Sequence, residues 1–352
     1  MALVGIGLAL AIAPSTVAQT GKLHRVVAVG DLHGDFEAWR AIACAAGLVD
    51  KRGRWTGGAA VLVQTGDVVD RGPDGLKIIE DLMRLQREAQ RAHGQVVALV
   101  GNHEAMNLTG DLRYVSPADY AAYANGQSER LREQTYQANK AKIEAAYGAQ
   151  DPKATPEAIK VMWRQATPPG FLEHQVAWAP DGKIGRWIVG NPAVAQIDGS
   201  LFVHGGISPA FAHMPLAEIN RQAAAALAAA NTAPEALIND PAGPLWHRGL
   251  AAKDGPPDEA PPAAPPAATA PPPPSVSEQL DVLLSAFGAK RIVIAHTPIL
   301  SGIAVLNGGR LIRIDTGISA VFGGTLSYLD IIDGNPVAHT VARPTPGRKG
   351  TD

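Results

Sequence analysis

The chain has 352 residues, 46% of them apolar, with 31 Lys and Arg against 33 Asp and Glu for a formal charge of −2 at neutral pH. Such a chain is long enough for one large catalytic domain with insertions or for two smaller ones, and a near-neutral charge with no Lys/Arg run argues against a nucleic-acid binder working through a basic face. Cys44 is the only cysteine, which excludes an intrachain disulfide and a thiolate metal cluster. Within AIACAAGL it reads as a small buried core residue.

Residues 2–13 form an uncharged apolar run followed by PSTVAQ. The run is short for a transmembrane helix but fits a secretory h-region with a small-residue cleavage zone near Ala18 or Gln19. No Lys or Arg precedes it, which leaves an upstream start, an uncleaved anchor or a loose terminus as alternatives. The expectation is a signal peptide over residues 1–19, export to a periplasm or the cell exterior rather than residence in the cytoplasm, and no membrane insertion after processing.

Five segments then repeat one grammar. RVVAV precedes GDLHG, VLVQT precedes GDVVDRG, QVVALV precedes GNHE, SLF precedes VHGG and RIVI precedes AHTP. Short β-branched runs that stop at Gly or a polar residue are strands ending in loops. After the first loop, Phe36, Trp39, Ile42 and Ala43 recur at helical spacing; after the second, Ile78, Ile79, Leu82 and Leu85 mark one apolar helix face. Pro73 sits just before that helix and Gly94 follows it. Strand-helix-strand alternation predicts a right-handed parallel core with binding loops at the carboxyl ends of its strands.

From residue 111 to 180 the texture becomes helical, predicting an insertion or cap over the site. Its Tyr114, Tyr120, Tyr123, Tyr136 and Tyr147 read as packing and rim residues. GRWIVG, AVAQI and SLFVH read as resumed strands, and an Ala-rich helix is expected over residues 215–230. Residues 252–275 are Pro/Ala-rich, and ten of the 28 prolines fall in 255–274; this predicts an exposed disordered loop interrupting the domain. Near the end, two alternating strands meet at Asn307-Gly308-Gly309, a hairpin signal. The antiparallel tail suggests two sheets packed face to face with helices outside, as one catalytic domain over residues 24–343 and a frayed tail over 344–352.

The loops carry Asp31, His33, Asp67, Asn102, His204 and His296. Carboxylate, amide and imidazole ligands without thiolate suit paired divalent or trivalent ions such as Mn, Fe or Zn. Asp67 stands between the earlier and later ligands and is the natural bridge. Paired ions of this kind bind phosphoryl oxygens and activate a bridging water. His103, facing away from its neighbour in an extended chain, would protonate the leaving oxygen with Asp70 holding it. Arg71 offers a fixed fork to two non-bridging phosphate oxygens, and Arg248 a second one. Asp315 is either a support for a ligand histidine or a turn residue. His24, His93, His174, His213, His247 and His339 fall outside the constellation.

GDLHG, GDVVDRG, GNHE, HGG and the late His296 resemble the calcineurin-type metallophosphoesterases of the phosphoprotein phosphatase branch. WRQATPPG, VHGGISP, PLWHRG and NGGRLIRIDTGIS are similar to the bacterial Shewanella-like protein phosphatases. The resemblance implies an α/β fold, a two-sheet β-sandwich flanked by helices. It also implies a first metal on Asp31, His33 and Asp67, and a second on Asp67, Asn102, His204 and His296. His103 with Asp70 would be the acid pair, and Arg71, Arg248 and Asn102 would meet the phosphate. The expected activity is hydrolysis of phosphotyrosine or phosphoserine/threonine esters in a phosphoprotein or phosphopeptide by direct attack of a metal-bridging hydroxide. The alternatives are a dinucleoside polyphosphate hydrolase and a non-catalytic phosphopeptide-binding module. The SAPNY-like segment of the eukaryotic serine/threonine enzymes is missing near the C-terminus, so no regulatory subunit is expected.

Overall fold

The computed structural model describes residues 25–251 and 274–344. The expected signal peptide and Pro/Ala-rich loop, His24, and the tail beyond residue 344 lie outside the described residues. In chain order the elements are β1 (Arg25–Val29), α1 (Phe36–Ala45), β2 (Val61–Gln64), α2 (Gly75–Arg91), β3 (Gln95–Ala98), α3 (Asn102–Thr109), α4 (Pro117–Tyr123), α5 (Ser128–Gln150), α6 (Pro156–Ala166), α7 (Phe171–Trp178) and α8 (Lys183–Val189). They continue with β4 (Val194–Ile197), β5 (Ser200–Val203), α9 (Leu216–Ala228), α10 (Val276–Phe287), β6 (Arg291–Ile294), β7 (Ala304–Leu306), β8 (Leu311–Arg313), β9 (Leu326–Ile332) and β10 (Asn335–Val341).

Two five-stranded mixed sheets result, ordered β10-β9-β1-β2-β3 and β4-β5-β6-β8-β7. Strands β1, β2 and β3 run parallel, as do β5, β6 and β8. The parallel strands are apolar on both faces, and their period of two sorts the side chains. Val26 and Ala28 of β1, Val61 and Val63 of β2, Phe202 of β5 and Val293 of β6 share one core cluster between the sheets. Their neighbours Val27, Val29, Leu62, Leu201, Ile292 and Ile294 pack with helix residues such as Trp39, Ile78, Leu82, Ile219 and Leu283. This is the two-sheet sandwich with outer helices that the alternation and the late hairpin predicted.

Several local expectations change. Cys44 is exposed: α1 turns Trp39, Ile42 and Ala43 inward, and the next residue, about 100° further round, faces solvent. GRWIVG is not a strand but most of α8, flanked by Gly182 and Gly190, with Ile184 and Ile188 buried one turn apart. Asn102 and His103 open α3 rather than lying in extended chain. They diverge because residues one apart on a helix point about 100° apart. The helical stretch after α3 packs α4 on α2 and α7, and α5 on α6 and α7. Among the described residues, no helix is long and apolar enough to cross a membrane.

Candidate active site

The five loops meet where the parallel strands of both sheets end. β1, β2 and β3 deliver Asp31, His33, Asp67, Asp70, Arg71, Asn102 and His103, while β5 and β6 deliver His204 and His296. Holding so many polar groups at one point demands unusual backbone. His33, Asp67, Asp70, Arg71 and His296 all have positive φ, between 39° and 70°, a left-handed conformation that non-glycine residues adopt only when their surroundings over-determine it. Gly101 is required for close approach: a Cβ there would lie 2.1 Å from Asp67 Oδ1.

Asp67 is central. Its Oδ2 lies 3.2 Å from His204 Nε2 and 3.9 Å from both His33 Nε2 and His103 Nε2. Its Oδ1 accepts the His103 N–H at 3.0 Å. Two groups of donor atoms, each within 4.8 Å of one another, share it: His33, Asp67 and His103, and Asp67, His204 and His296. Asn102 Oδ1 faces His204 Nε2 at 2.9 Å and so joins the second group. Asp31 stands behind it, with Oδ2 accepting the His296 N–H at 3.2 Å and Oδ1 3.8 Å from His204 Nδ1. Six predicted ligands therefore converge, with Asp31 outside both tight groups.

His103 falls in the first donor group, yet its ring is committed elsewhere. Nδ1 is 2.6 Å from Asp70 Oδ2, which fixes the ring and turns Nε2 toward Asp67. Arg71 Cζ lies 4.3 Å from the Tyr114 ring centroid and 5.5 Å from that of Phe322, so two aromatic rings hold the fork in a cation–π arrangement. Arg248 donates to Thr297 Oγ1 at 3.0 Å and to the His296 carbonyl at 3.3 Å, beside the second donor group. Asp315 accepts the Gly317 N–H at 3.0 Å, a turn role, and also bears electrostatically on Asp31.

A calcineurin-like phosphoesterase family model matches residues 24–300. The chain belongs to this family. As a calcineurin-like phosphoesterase, it is 32% identical to an uncharacterised protein of Schizosaccharomyces pombe over 87% of this chain and 76% of that one. It is also 38% identical to Shewanella-like protein phosphatase 2 of Arabidopsis thaliana over 57% of this chain and 51% of the relative. Among solved structures, it resembles the cold-active protein-tyrosine phosphatase of a psychrophilic Shewanella, with a TM-score of 0.61 at 23% identity, covering 90% of this chain and 80% of that one. That likeness carries the fold: two mixed sheets with flanking helices.

The donor set fits a pair of cations. Both ring nitrogens of His296 and Asp31 Oδ1 are buried without a hydrogen-bond partner. His33 donates Nδ1–H to the Val69 carbonyl at 3.1 Å, and His204 donates Nδ1–H to that of Thr65 at 2.9 Å; with Nδ1 so committed, each ring would meet a cation through Nε2. Burial, helped by the charge on neighbouring His103, lowers the His33 ring to about 4, and burial holds His296 well below its usual value. Both rings are thus neutral, as an imidazole must be to hold a cation. The carboxylates state the complementary demand. Burial, with Asp315 and Asp67 close by, raises Asp31 well above the usual range, burial and Asp67 raise Glu104 to about 7, and burial raises Asp315 to about 6. Burial works against charge on Asp67 too, but His204, His103 and His33 overcome it and hold Asp67 ionised; in return Asp67 raises His204 despite that ring's burial. Cations held here would answer the same negative charge.

Three supporting residues escaped the sequence reading. Glu104 accepts the N–H groups of Asp67, Val68 and Gly101, each at 2.8 Å. Gln64 accepts the Gly66 N–H at 2.9 Å and donates to the Gly66 carbonyl at 2.7 Å and the Gly30 carbonyl at 3.3 Å. Asn107 donates to Asp70 Oδ1 at 2.9 Å. The Glu of GNHE was visible three residues after Gly101, where a capping box puts its acid; Gln64 and Asn107 gave no comparable signal.

Proposed function

We propose that this calcineurin-like phosphoesterase is a metal-dependent phosphomonoesterase acting on phosphoproteins. The observation that carries the reading is the buried His103–Asp70 pair at 2.6 Å, set beside the shared carboxylate Asp67. Two ions of the Mn, Fe or Zn type, when bound by Asp31, His33, Asp67, Asn102, His204 and His296, supply a water activated at neutral pH and positive charge for the phosphoryl oxygens. Arg71, held between Tyr114 and Phe322, orients the phosphate through two non-bridging oxygens, a match to a dianionic monoester rather than a diester. Arg248 bounds the opposite side near His296. His103 protonates the leaving alcohol or phenol while Asp70 fixes its tautomer and position. The Arabidopsis relative, named a protein phosphatase, supports a phosphoprotein substrate.

The test is a panel of phosphotyrosine, phosphoserine and phosphothreonine peptides, with diadenosine tetraphosphate as control, on protein whose metals are quantified. Phosphopeptides are hydrolysed in preference to the dinucleotide. His103→Ala keeps its metals and loses about 10²- to 10⁴-fold in turnover. Hydrolysis of the dinucleotide alone, or a fully active His103→Ala, rejects the proposal.

We further propose export from the cytosol, supported by the apolar run over residues 2–13 and the small residues that follow it. N-terminal sequencing of the natively expressed protein checks this, and a soluble cytosolic form retaining Met1 rejects it.

A further inference from the structure

Only one oxygen of Asp70 faces the His103 ring. Oδ2 lies 2.6 Å from Nδ1, while Oδ1 accepts from Asn107 Nδ2 at 2.9 Å. The same Nδ2 donates to the His103 carbonyl at 3.0 Å, because Asn107 follows His103 by one turn of α3. One carboxamide therefore grips both members of the pair. Asp70 itself sits in a loop at a φ of 66°, outside any ladder or helix that would orient its side chain, and a carboxylate turns broadly about its last torsion unless tied at both oxygens. Asn is a poor helix former, yet here it is 4% exposed inside an eight-residue helix. That is a costly place for an amide whose only work would be packing.

We propose that Asn107 is a positioning residue for proton delivery to the leaving group. It fixes the plane of the Asp70 carboxylate, so that Oδ2 holds His103 Nδ1–H and Nε2 stays aimed at the departing oxygen. This rests on the reading of His103 as proton donor. As the P–O bond to the leaving group breaks, the Nε2 proton moves to the departing oxygen, which keeps the bond's electron pair. His103 is left as a neutral imidazole still donating Nδ1–H to Asp70.

The back of Asn107 offers a way to test this apart from general structural damage. With Gly110, Leu112, His174, Gln175 and Trp178 it lines an open pocket of about 190 Å³ between α3 and α7. In Asn107→Ala this pocket extends to Asp70 Oδ1 and admits a small amide from solvent.

The experiment compares kcat/KM of metal-quantified wild type, Asn107→Ala and His103→Ala on phenyl phosphate, whose leaving group needs a proton, and on 2,4-dinitrophenyl phosphate, whose leaving group does not. Asn107→Ala loses about 10- to 100-fold on phenyl phosphate, part of what a general acid contributes, and changes little on the dinitrophenyl ester. Acetamide restores phenyl phosphate hydrolysis in Asn107→Ala and leaves wild type unaffected. Asn107→Leu, which roughly keeps the volume but not the donor, shows the same leaving-group dependence without rescue and serves if the Ala variant does not fold. Equal losses of Asn107→Ala on both esters, or failure of acetamide to restore it, overturn the proposal while a leaving-group-dependent loss in His103→Ala keeps the proton-donor reading. If His103→Ala loses equally on both esters, that reading falls and Asn107's role with it.

Discussion

Glu104 spends its carboxylate on three backbone N–H groups, those of Asp67, Val68 and Gly101, and so ties the Asp67 loop to the start of α3. Only an ionised carboxylate accepts all three without presenting a donor of its own. Glu104→Gln sets an NH2 against at least one N–H, and the orphaned donor costs roughly 1–3 kcal/mol. We expect a lower urea midpoint with an unchanged m-value, together with reduced metal content; an unchanged midpoint and full metal loading would reject this role. At this scale Asp31, Asp67 and Asn102 stood out in the sequence as candidate ligands because they sit at Gly-Asp and Gly-Asn junctions after β-branched runs. The groups that hold them did not. Gln64 and Asn107 act on partners that only the tertiary fold brings near, and the exposure of Cys44 depended on the helix phase rather than on its apolar neighbours.

Among the elements, α7 shows what burial does to a titratable ring. His174 is 2% exposed, stacks on Trp178 of its own helix and meets Tyr120 and Tyr123 of α4 edge to face. Burial lowers it from 6.5 to about 4, with Asp70 pulling weakly the other way. The sign follows from proton uptake: between these values the unfolded chain binds a proton that the folded one refuses. Stability is therefore full above pH 6.5, falls as the pH drops toward 4, and the total change is roughly 3 kcal/mol. His174 Nδ1 has no hydrogen-bond partner, so His174→Phe removes the titration without orphaning that atom. Urea midpoints measured between pH 7 and 4 should fall less steeply in this variant; parallel slopes would count against the mechanism. Sequence patterns misjudged α8 because WIV has strand propensity, whereas the burial of Ile184 and Ile188 follows helical period. Strand β10 was overlooked although Asp333-Gly334 before it is a turn signal.

For the whole molecule, the candidate site joins the two sheets, since its residues follow β1, β2 and β3 on one side and β5 and β6 on the other. Cations bound only by the folded state stabilise it by about 4 kcal/mol for each ion held at a thousand times its Kd. Chelation should therefore lower the thermal midpoint by about 5 to 10 °C, and readdition of metal should restore it; an unchanged midpoint in metal-free protein would show that the sheets do not depend on the ions. The sandwich was legible because both-face apolar runs need cover on each side and the late antiparallel strands suggested a second sheet. The strand order was not, because nothing local in RVVAV tells that it pairs with β9.

That pairing shapes how the protein is made. β1 is the earliest of the described strands in the chain and lies between β2 and β9, with Arg25 bonded to Asp330 across a separation of 305 residues. Until β9 is synthesised, the edge of β1 that pairs with it stays bare. A chain trimmed at residue 300, where the family match stops, keeps every predicted ligand from Asp31 to His296 yet exposes that edge to the strands of other chains. It should aggregate rather than lose its chemistry by losing a ligand.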